Sequence, residues 1–213
     1  MNIATIKKIL VTLGQIMAYA VRHGYIDYNP VRDAEKDLKY HTLFMLAIMS
    51  GARQGELLGL KWSDVEWENN QIHVQRTFNN DNWYDVKTSA SNRKIDIGPS
   101  MMANLKEWKL ACLPNANDLV FPNKAGNPIN HNNLIQRHFY PALETAKLPK
   151  IRFHDLRHTY ASLLIEQGEN IKYIQSQLGH SSPSVTLNVY AHLMKPANQE
   201  AASKLENKIL NLN

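Results

Sequence analysis

Apolar residues at Ile3, Ile6, Ile9, Leu10, Leu13, Ile16, Met17 and Ala20 recur at helical spacing, and Gly24 stands where a C-cap belongs. Asn29-Pro30 breaks that pattern, and a charged link runs from Arg32 to Lys39. The next segment, Tyr40 to Ser50, is apolar on nearly every side, which marks a helix central to the core. Gly51 interrupts it, and a further helical stretch carries Arg53, Glu56, Leu57 and Leu60.

The period then changes. Ile72-Val74, Trp83 to Val86 and Ile95-Ile97 are short β-like runs, separated by Asn79-Asn80-Asp81-Asn82 and Ser89-Ala90-Ser91-Asn92. They predict a three-stranded antiparallel meander. Pro99-Ser100 caps a helix bearing Met102, Leu105 and Trp108. Helical patterns return at Asn132 to Ala146, Leu156 to Gln167, Ile171 to Leu178 and Ser184 to His192, and in a tail from Ala197. Gly168 and Gly179 occupy C-cap positions among them. The fold class is therefore α+β: mainly α with a small three-stranded antiparallel sheet.

At 213 residues, 44% hydrophobic and 20% charged, the chain can bury a core and is too apolar for disorder. No apolar run approaches the roughly 20 residues that span a bilayer. The amino terminus opens an amphipathic pattern and not a secretory signal. One cysteine, Cys112, excludes an internal disulfide and any multi-cysteine zinc site. A reducing cytoplasm is the compartment these features point to. The net charge of +5 is compatible with a polyanionic partner without requiring one.

The candidate chemistry begins at His154-Asp155-Leu156-Arg157-His158, where helical spacing sets His154 and Arg157 one turn apart on one face. A guanidinium fork beside an imidazole suits a phosphate: the arginine pairs two oxygens while the histidine moves a proton. A surface arginine with a packed histidine fits the same letters. So does a zinc pair of His154 and His158, although it lacks the glutamate of a His-Glu-x-x-His motif and a third ligand. Arg53 follows a buried helix and a glycine, with Glu56 one turn on. That pair is either a functional guanidinium held by a carboxylate or a structural ion pair.

Lys87-Thr88 ends a strand, where a lysine can swing into a substrate and give up a proton, or merely solubilise a hairpin. Leu178-Gly179-His180-Ser181 and Asn188-Val189-Tyr190-Ala191-His192 follow. A tyrosine hydroxyl, with its ordinary pKa of about 10, becomes a nucleophile only with help from neighbouring cations or an imidazole. A core or interface tyrosine is the plainer reading. Ile171 to His192 also has the outline of a helix-turn-helix DNA reader.

Taken in order, Ala-Arg-x-Gly-Glu-Leu from Ala52, Lys87-Thr88, His-x-Leu-Arg-His-Thr from His154, Leu-Gly-His from Leu178 and finally Tyr190 resemble the tyrosine recombinase (phage integrase) family. The likeness runs from Leu43 to His192. It implies that family's catalytic-domain fold and the site-specific breaking and rejoining of DNA for a phage or other mobile element. Tyr190 is then the nucleophile, forming a 3′-phosphotyrosyl link and releasing a 5′ hydroxyl. Arg53 and Arg157 hold the scissile phosphate, Lys87 protonates the leaving oxygen, His154 assists proton transfer and His180 hydrogen-bonds a non-bridging oxygen. Glu56 and His158 support them. No cofactor and no metal are implied. The implied partners are double-stranded DNA at attachment or core sites, further copies of this chain in a tetramer on DNA, and accessory DNA-bending proteins. On this view the helix-turn-helix outline is scaffolding that aims His180 and Tyr190.

Against the family pattern, residues 1–30 match only the last helix of a core-binding domain, 31–39 a shortened linker, 40–196 the catalytic domain and 197–213 a tail helix. The tail either docks onto a neighbouring subunit or packs on its own domain. Either the chain is a truncated or disrupted member or residues are missing from this sequence, and the expectation is that the fragment binds DNA weakly and cleaves slowly. The alternatives are a non-catalytic DNA-binding derivative and a type IB topoisomerase-like enzyme.

Overall fold

The computed structural model describes residues 38–85, 90–182, 184 and 206–209. The amino-terminal helix, nearly all of the Ser184–His192 helix and most of the tail lie outside the described residues, as do Lys87 and Tyr190. The chain opens with α1 (Leu38–Ser50), the short α2 (Gln54–Leu58) and a 3-10 turn at Trp62–Asp64. Five short strands follow: β1 (Val65–Glu66), β2 (Gln71–Val74), β3 (Arg76–Asn79), β4 (Asn82–Asp85) and β5 (Arg93–Asp96). Then come α3 (Pro99–Ala111), α4 (His131–Leu134), a π-helical turn (Ile135–Phe139), α5 (Tyr140–Thr145), α6 (Asp155–Glu166) and α7 (Ile171–Leu178).

As its all-round apolar pattern predicts, α1 is the core helix, with Leu43 through Ile48 all buried and both α3 and α6 packed against it. Phe44 meets Phe139 and Phe153 edge-on at ring-centroid distances of 5.4 and 6.2 Å. Phe139 and Phe153 meet each other the same way at 5.2 Å. Burying each ring contributes about 1.5–3 kcal/mol. Phe153 immediately precedes His154, so this aromatic cluster fixes where α6 begins.

Gly51 ends α1 in a left-handed conformation at φ +60, and the Tyr160 ring of α6 lies directly over it. A Cβ there would stand 2.5 Å from that ring, so the close crossing of the two helices requires glycine. Two other boundaries shift from the pattern. Gly98 is the N-cap of α3, with Pro99 in its first turn. The predicted Asn132–Ala146 helix is a run in three parts, its middle widened into a π turn just before Pro141. Proline lacks the N–H that would close a regular α turn there.

The three-stranded antiparallel sheet is present, but the meander is not. Its order is β1-β2-β5, with Ile72 opposite Val65 on one side and Ile95 on the other. The Trp83 run stays apart: β4 pairs with β3 in a separate hairpin, Phe78 opposite Trp83. Asn80 and Asp81 form its tip at φ +48 and +59, as a two-residue type I′ turn demands. The chain leaves one sheet for the other at Gln75. There the Gln75 amide donates 3.0 Å to buried Asp64, which also pairs with Arg76. The Arg76–Asn79 run carries a single strongly apolar residue and the Val65–Glu66 strand is two residues long, so neither announces itself by period.

Candidate active site

Arg53 occupies the N-cap of α2, and Glu56 is the third residue of that helix. The Glu56 carboxylate accepts the Arg53 backbone N–H at 2.7 Å, closing half of a capping box, and accepts the Arg53 guanidinium at 2.8 Å. The side chain of Arg53 keeps 40% of its exposure while that of Glu56 keeps 3%, so a buried acid steers a guanidinium toward the surface. Glu56 is itself gripped from below by Arg93 of β5, whose Nη1 and Nη2 donate at 3.0 and 2.9 Å. Burial alone would raise the Glu56 carboxyl. The hydrogen bonds and charge of Arg93, joined by Arg53, override it and hold the group down to about 2. The structure thus shows the Arg53–Glu56 ion pair, with the guanidinium left partly exposed.

The second half of the site is the C-terminus of α7. Gly179 adopts the left-handed conformation at φ +66. Its N–H donates to Ser176 O at 3.1 Å and that of His180 to Gln175 O at 3.2 Å, the two bonds of a Schellman motif. That leaves the carbonyls of Gln177 and Leu178 without backbone donors from this motif, at the negative end of the helix dipole. Two guanidiniums take them: Arg93 Nε donates to Gln177 O at 2.7 Å and Arg157 Nη2 donates to Leu178 O. Arg157 also donates Nη1 to Gly51 O at 2.8 Å, joining the end of α1 to the end of α7. It is 3% exposed, and both of those carbonyl partners are neutral, so they hold the guanidinium without cancelling its charge.

His154 sits at the N-cap of α6, one turn before Arg157, and the Arg157 N–H donates to its carbonyl at 3.1 Å. Burial first, then the charges of His158, Arg157, Arg152 and Arg53, push its imidazole below the usual range. For His180, burial leads and Arg157, Arg53, Arg93 and His154 follow, taking it down to about 4. Two imidazoles from different elements thus sense the same two guanidiniums, Arg53 and Arg157. The four predicted groups lie within electrostatic reach of one another.

A pH dependence follows with a definite sign. The unfolded chain takes up a proton on His180 near 6.5 and the folded chain near 4, so stability falls as the pH drops through that window and levels off above it. In an NMR titration the His180 ring should titrate near 4, and inorganic phosphate should raise that midpoint by relieving the cationic field. An ordinary midpoint, indifferent to phosphate, would mean that the arginines do not face this ring.

The pattern missed Arg93. Its signal was parity, since Arg93 shares the inward face of β5 with Ile95 and is likewise buried. His158 lies edge-on to His154, their ring centroids 4.9 Å apart. Among the described residues no third histidine, cysteine or carboxylate joins them in a metal-binding group, so the zinc pair gains no ligand set there.

A model of the phage integrase family matches residues 25–196. A tyrosine recombinase XerC-like protein of Caldanaerobacter subterraneus subsp. tengcongensis is 30% identical across 94% of this chain and 65% of its own length. The ICEBs1 integrase of Bacillus subtilis is 30% identical across 81% of this chain and 50% of its own. The chain thus spans about half to two-thirds of the length of these relatives. Among solved structures, the Tn1549 transposon integrase in complex with circular intermediate DNA superimposes with a TM-score of 0.66 at 22% identity, covering 80% of this chain and 60% of that one. The XerH recombinase in its post-cleavage complex with palindromic difH substrate gives 0.63 at 24% identity, covering 97% and 53%. These two likenesses establish the fold, and the family match covers most of the sequence. This chain belongs to the phage integrase family, the tyrosine recombinases.

Proposed function

We propose that this chain is the catalytic part of a site-specific recombinase that cuts and rejoins double-stranded DNA through Tyr190. The observation that carries the reading is the shared field of Arg53 and Arg157 on His154 and His180. A site where burial and neighbouring cations keep two imidazoles neutral, and where the Arg157 guanidinium is fixed on neutral carbonyls, is suited to receive an anion. A scissile phosphodiester supplies one, and its charge spreads over the non-bridging oxygens as the transition state forms. Each preorganised donor of this kind contributes about 10²–10³-fold in rate.

The Tyr190 oxygen attacks phosphorus, a P–O bond to tyrosine forms, and the bond to the 5′ oxygen breaks. The phenolic proton passes to neutral His154, and Lys87 protonates the departing oxygen. His180 hydrogen-bonds a non-bridging oxygen. A 5′ hydroxyl from another strand then attacks the phosphotyrosyl bond and reverses the step, so the bond energy is conserved and the residues named here suffice without a cofactor. The DNA-bound forms of the Tn1549 integrase and XerH support a duplex partner. A tetramer on two duplexes, accessory bending proteins and action on DNA in the bacterial cytoplasm belong to the same proposal. None of the described helices is long and apolar enough to cross a membrane.

The test is a nicked suicide duplex whose core sequence is recovered from a randomised pool by binding. Incubation should trap a denaturant-resistant protein–DNA adduct, and peptide mapping should find the nucleotide on Tyr190. Normal binding without an adduct, or attachment elsewhere, would make the chain a DNA reader or assign a different nucleophile. Strand exchange between two duplexes then separates a recombinase from a topoisomerase-like enzyme.

A further inference from the structure

We propose that Arg93 is the positioning residue of this active site, a buried guanidinium that locks the separate catalytic elements into one register. The inference rests on the recombinase reading for its kinetic consequence, and on the geometry alone for the positioning. Arg93 is 7% exposed and touches three elements at once. Its two terminal nitrogens hold Glu56, which holds Arg53 through both backbone and side chain. Its Nε holds Gln177 O at 2.7 Å, one residue before the Leu178 carbonyl that anchors Arg157 and three before His180. Nη1 also donates to Ser91 O at 3.3 Å, in the turn that follows Lys87.

The fit is close. A Cβ on Gly179 would stand 2.8 Å from Arg93 Nη1 and 2.9 Å from its Cδ, so the backbone just before His180 lies directly on this side chain. A planar fork with five N–H groups can serve a carboxylate and carbonyls in separate directions, while an ammonium of similar charge cannot. Arg93 is not needed merely to dock α7 on β5. The Asp96 N–H also donates to Gln177 Oε1 at 2.8 Å, and Tyr173 donates to Asp96 at 2.9 Å. The two elements therefore keep a second set of bonds when Arg93 changes, and what is lost is the aim of the groups above it.

The experiment compares wild type with Arg93→Lys and Arg93→Met in single-turnover cleavage of the nicked duplex, alongside NMR titration of His180. Displacement of catalytic groups by about an ångström costs on the order of 100-fold. In Arg93→Lys the cleavage rate at saturating DNA should fall by about 10- to 100-fold, while the half-saturating DNA concentration moves less than about threefold, because the side chain lies below the DNA-facing groups. A purely structural role would instead lower the fraction of molecules that react and leave the rate of that fraction unchanged. In Arg93→Met the His180 midpoint should rise from about 4, because one of the cations that depress it is gone. An unchanged rate with reduced amplitude in Arg93→Lys overturns the inference, as does an unmoved His180 midpoint in folded Arg93→Met. Absence of an adduct in wild type would instead sink the recombinase reading, and the His180 titration in Arg93→Lys, where the charge is kept and only a re-aimed turn moves the midpoint, would still decide the positioning.

Discussion

Replacing Arg157 with lysine should slow covalent adduct formation by about a thousand-fold or more, with DNA affinity reduced less than about tenfold. Arg157 has two duties that an ammonium cannot share. Its Nη1 and Nη2 bridge the carbonyls of Gly51 and Leu178, and in the proposed mechanism the same guanidinium also holds the phosphate. A lysine can reach one carbonyl or the phosphate, but it has no rigid fork to span both. Loss of the phosphate donor accounts for about 10²–10³-fold. Releasing Leu178 O also frees the turn that carries His180, which adds misplacement to the loss of charge stabilisation. Leaving such a carbonyl unsatisfied costs about 1–3 kcal/mol, so the variant should also unfold at lower urea concentration. Duplex binding draws on many phosphate contacts, and losing one of them weakens it modestly. Single-turnover cleavage on the nicked duplex, with binding measured in parallel at fixed salt, reads both effects. A rate within tenfold of wild type would remove Arg157 from the phosphate.

What made this site legible in the sequence was local spacing. Arg53 with Glu56, and His154 with Arg157, are pairs one helical turn apart, and such pairs share a face wherever the helix happens to pack. Gly51 and Gly179 were equally readable, since glycine after an apolar helix marks a left-handed stop. The all-apolar α1 announced itself as the core helix for the same reason: no face was polar enough to meet water.

The features that stayed hidden depend on pairing across the chain. Whether Ile72 lies beside Trp83 or beside Ile95 is decided by the turn at Asn80-Asp81 and by the Asp64 anchor near Gln75, not by the strands themselves. Arg93 was hidden by its neighbour. In Arg93-Lys94 the two cations look alike on paper, yet alternation buries the first on Glu56 and leaves the second pairing with Glu66 at 2.6 Å, nearer the surface. Parity marks Arg93 as inward-facing, but what it holds there is visible only once its carboxylate partner, 37 residues away, is known.

Glu56→Ala should destabilise the fold by about 3–5 kcal/mol, because it strands the Arg93 guanidinium in the interior without its counter-ion. The same change strips the α2 N-cap of the acceptor for the Arg53 N–H. Urea unfolding at neutral pH measures the loss. The pH dependence gives an independent check with a fixed sign. The Glu56 carboxyl titrates near 4.5 when unfolded and at about 2 when folded, so its charge contributes full stability above that window. The contribution is lost as the pH falls through it, and the gap between wild type and Glu56→Gln should close over the same range. Replacing both partners, as Glu56→Leu with Arg93→Met, should cost less than the sum of the single changes, because no uncompensated charge remains inside. That double variant should nevertheless cleave poorly, since Arg53 then lacks the carboxylate that, in the proposed mechanism, holds it toward the phosphate. A double variant that folds and cleaves at the wild-type rate would show that Glu56 and Arg93 serve the fold alone.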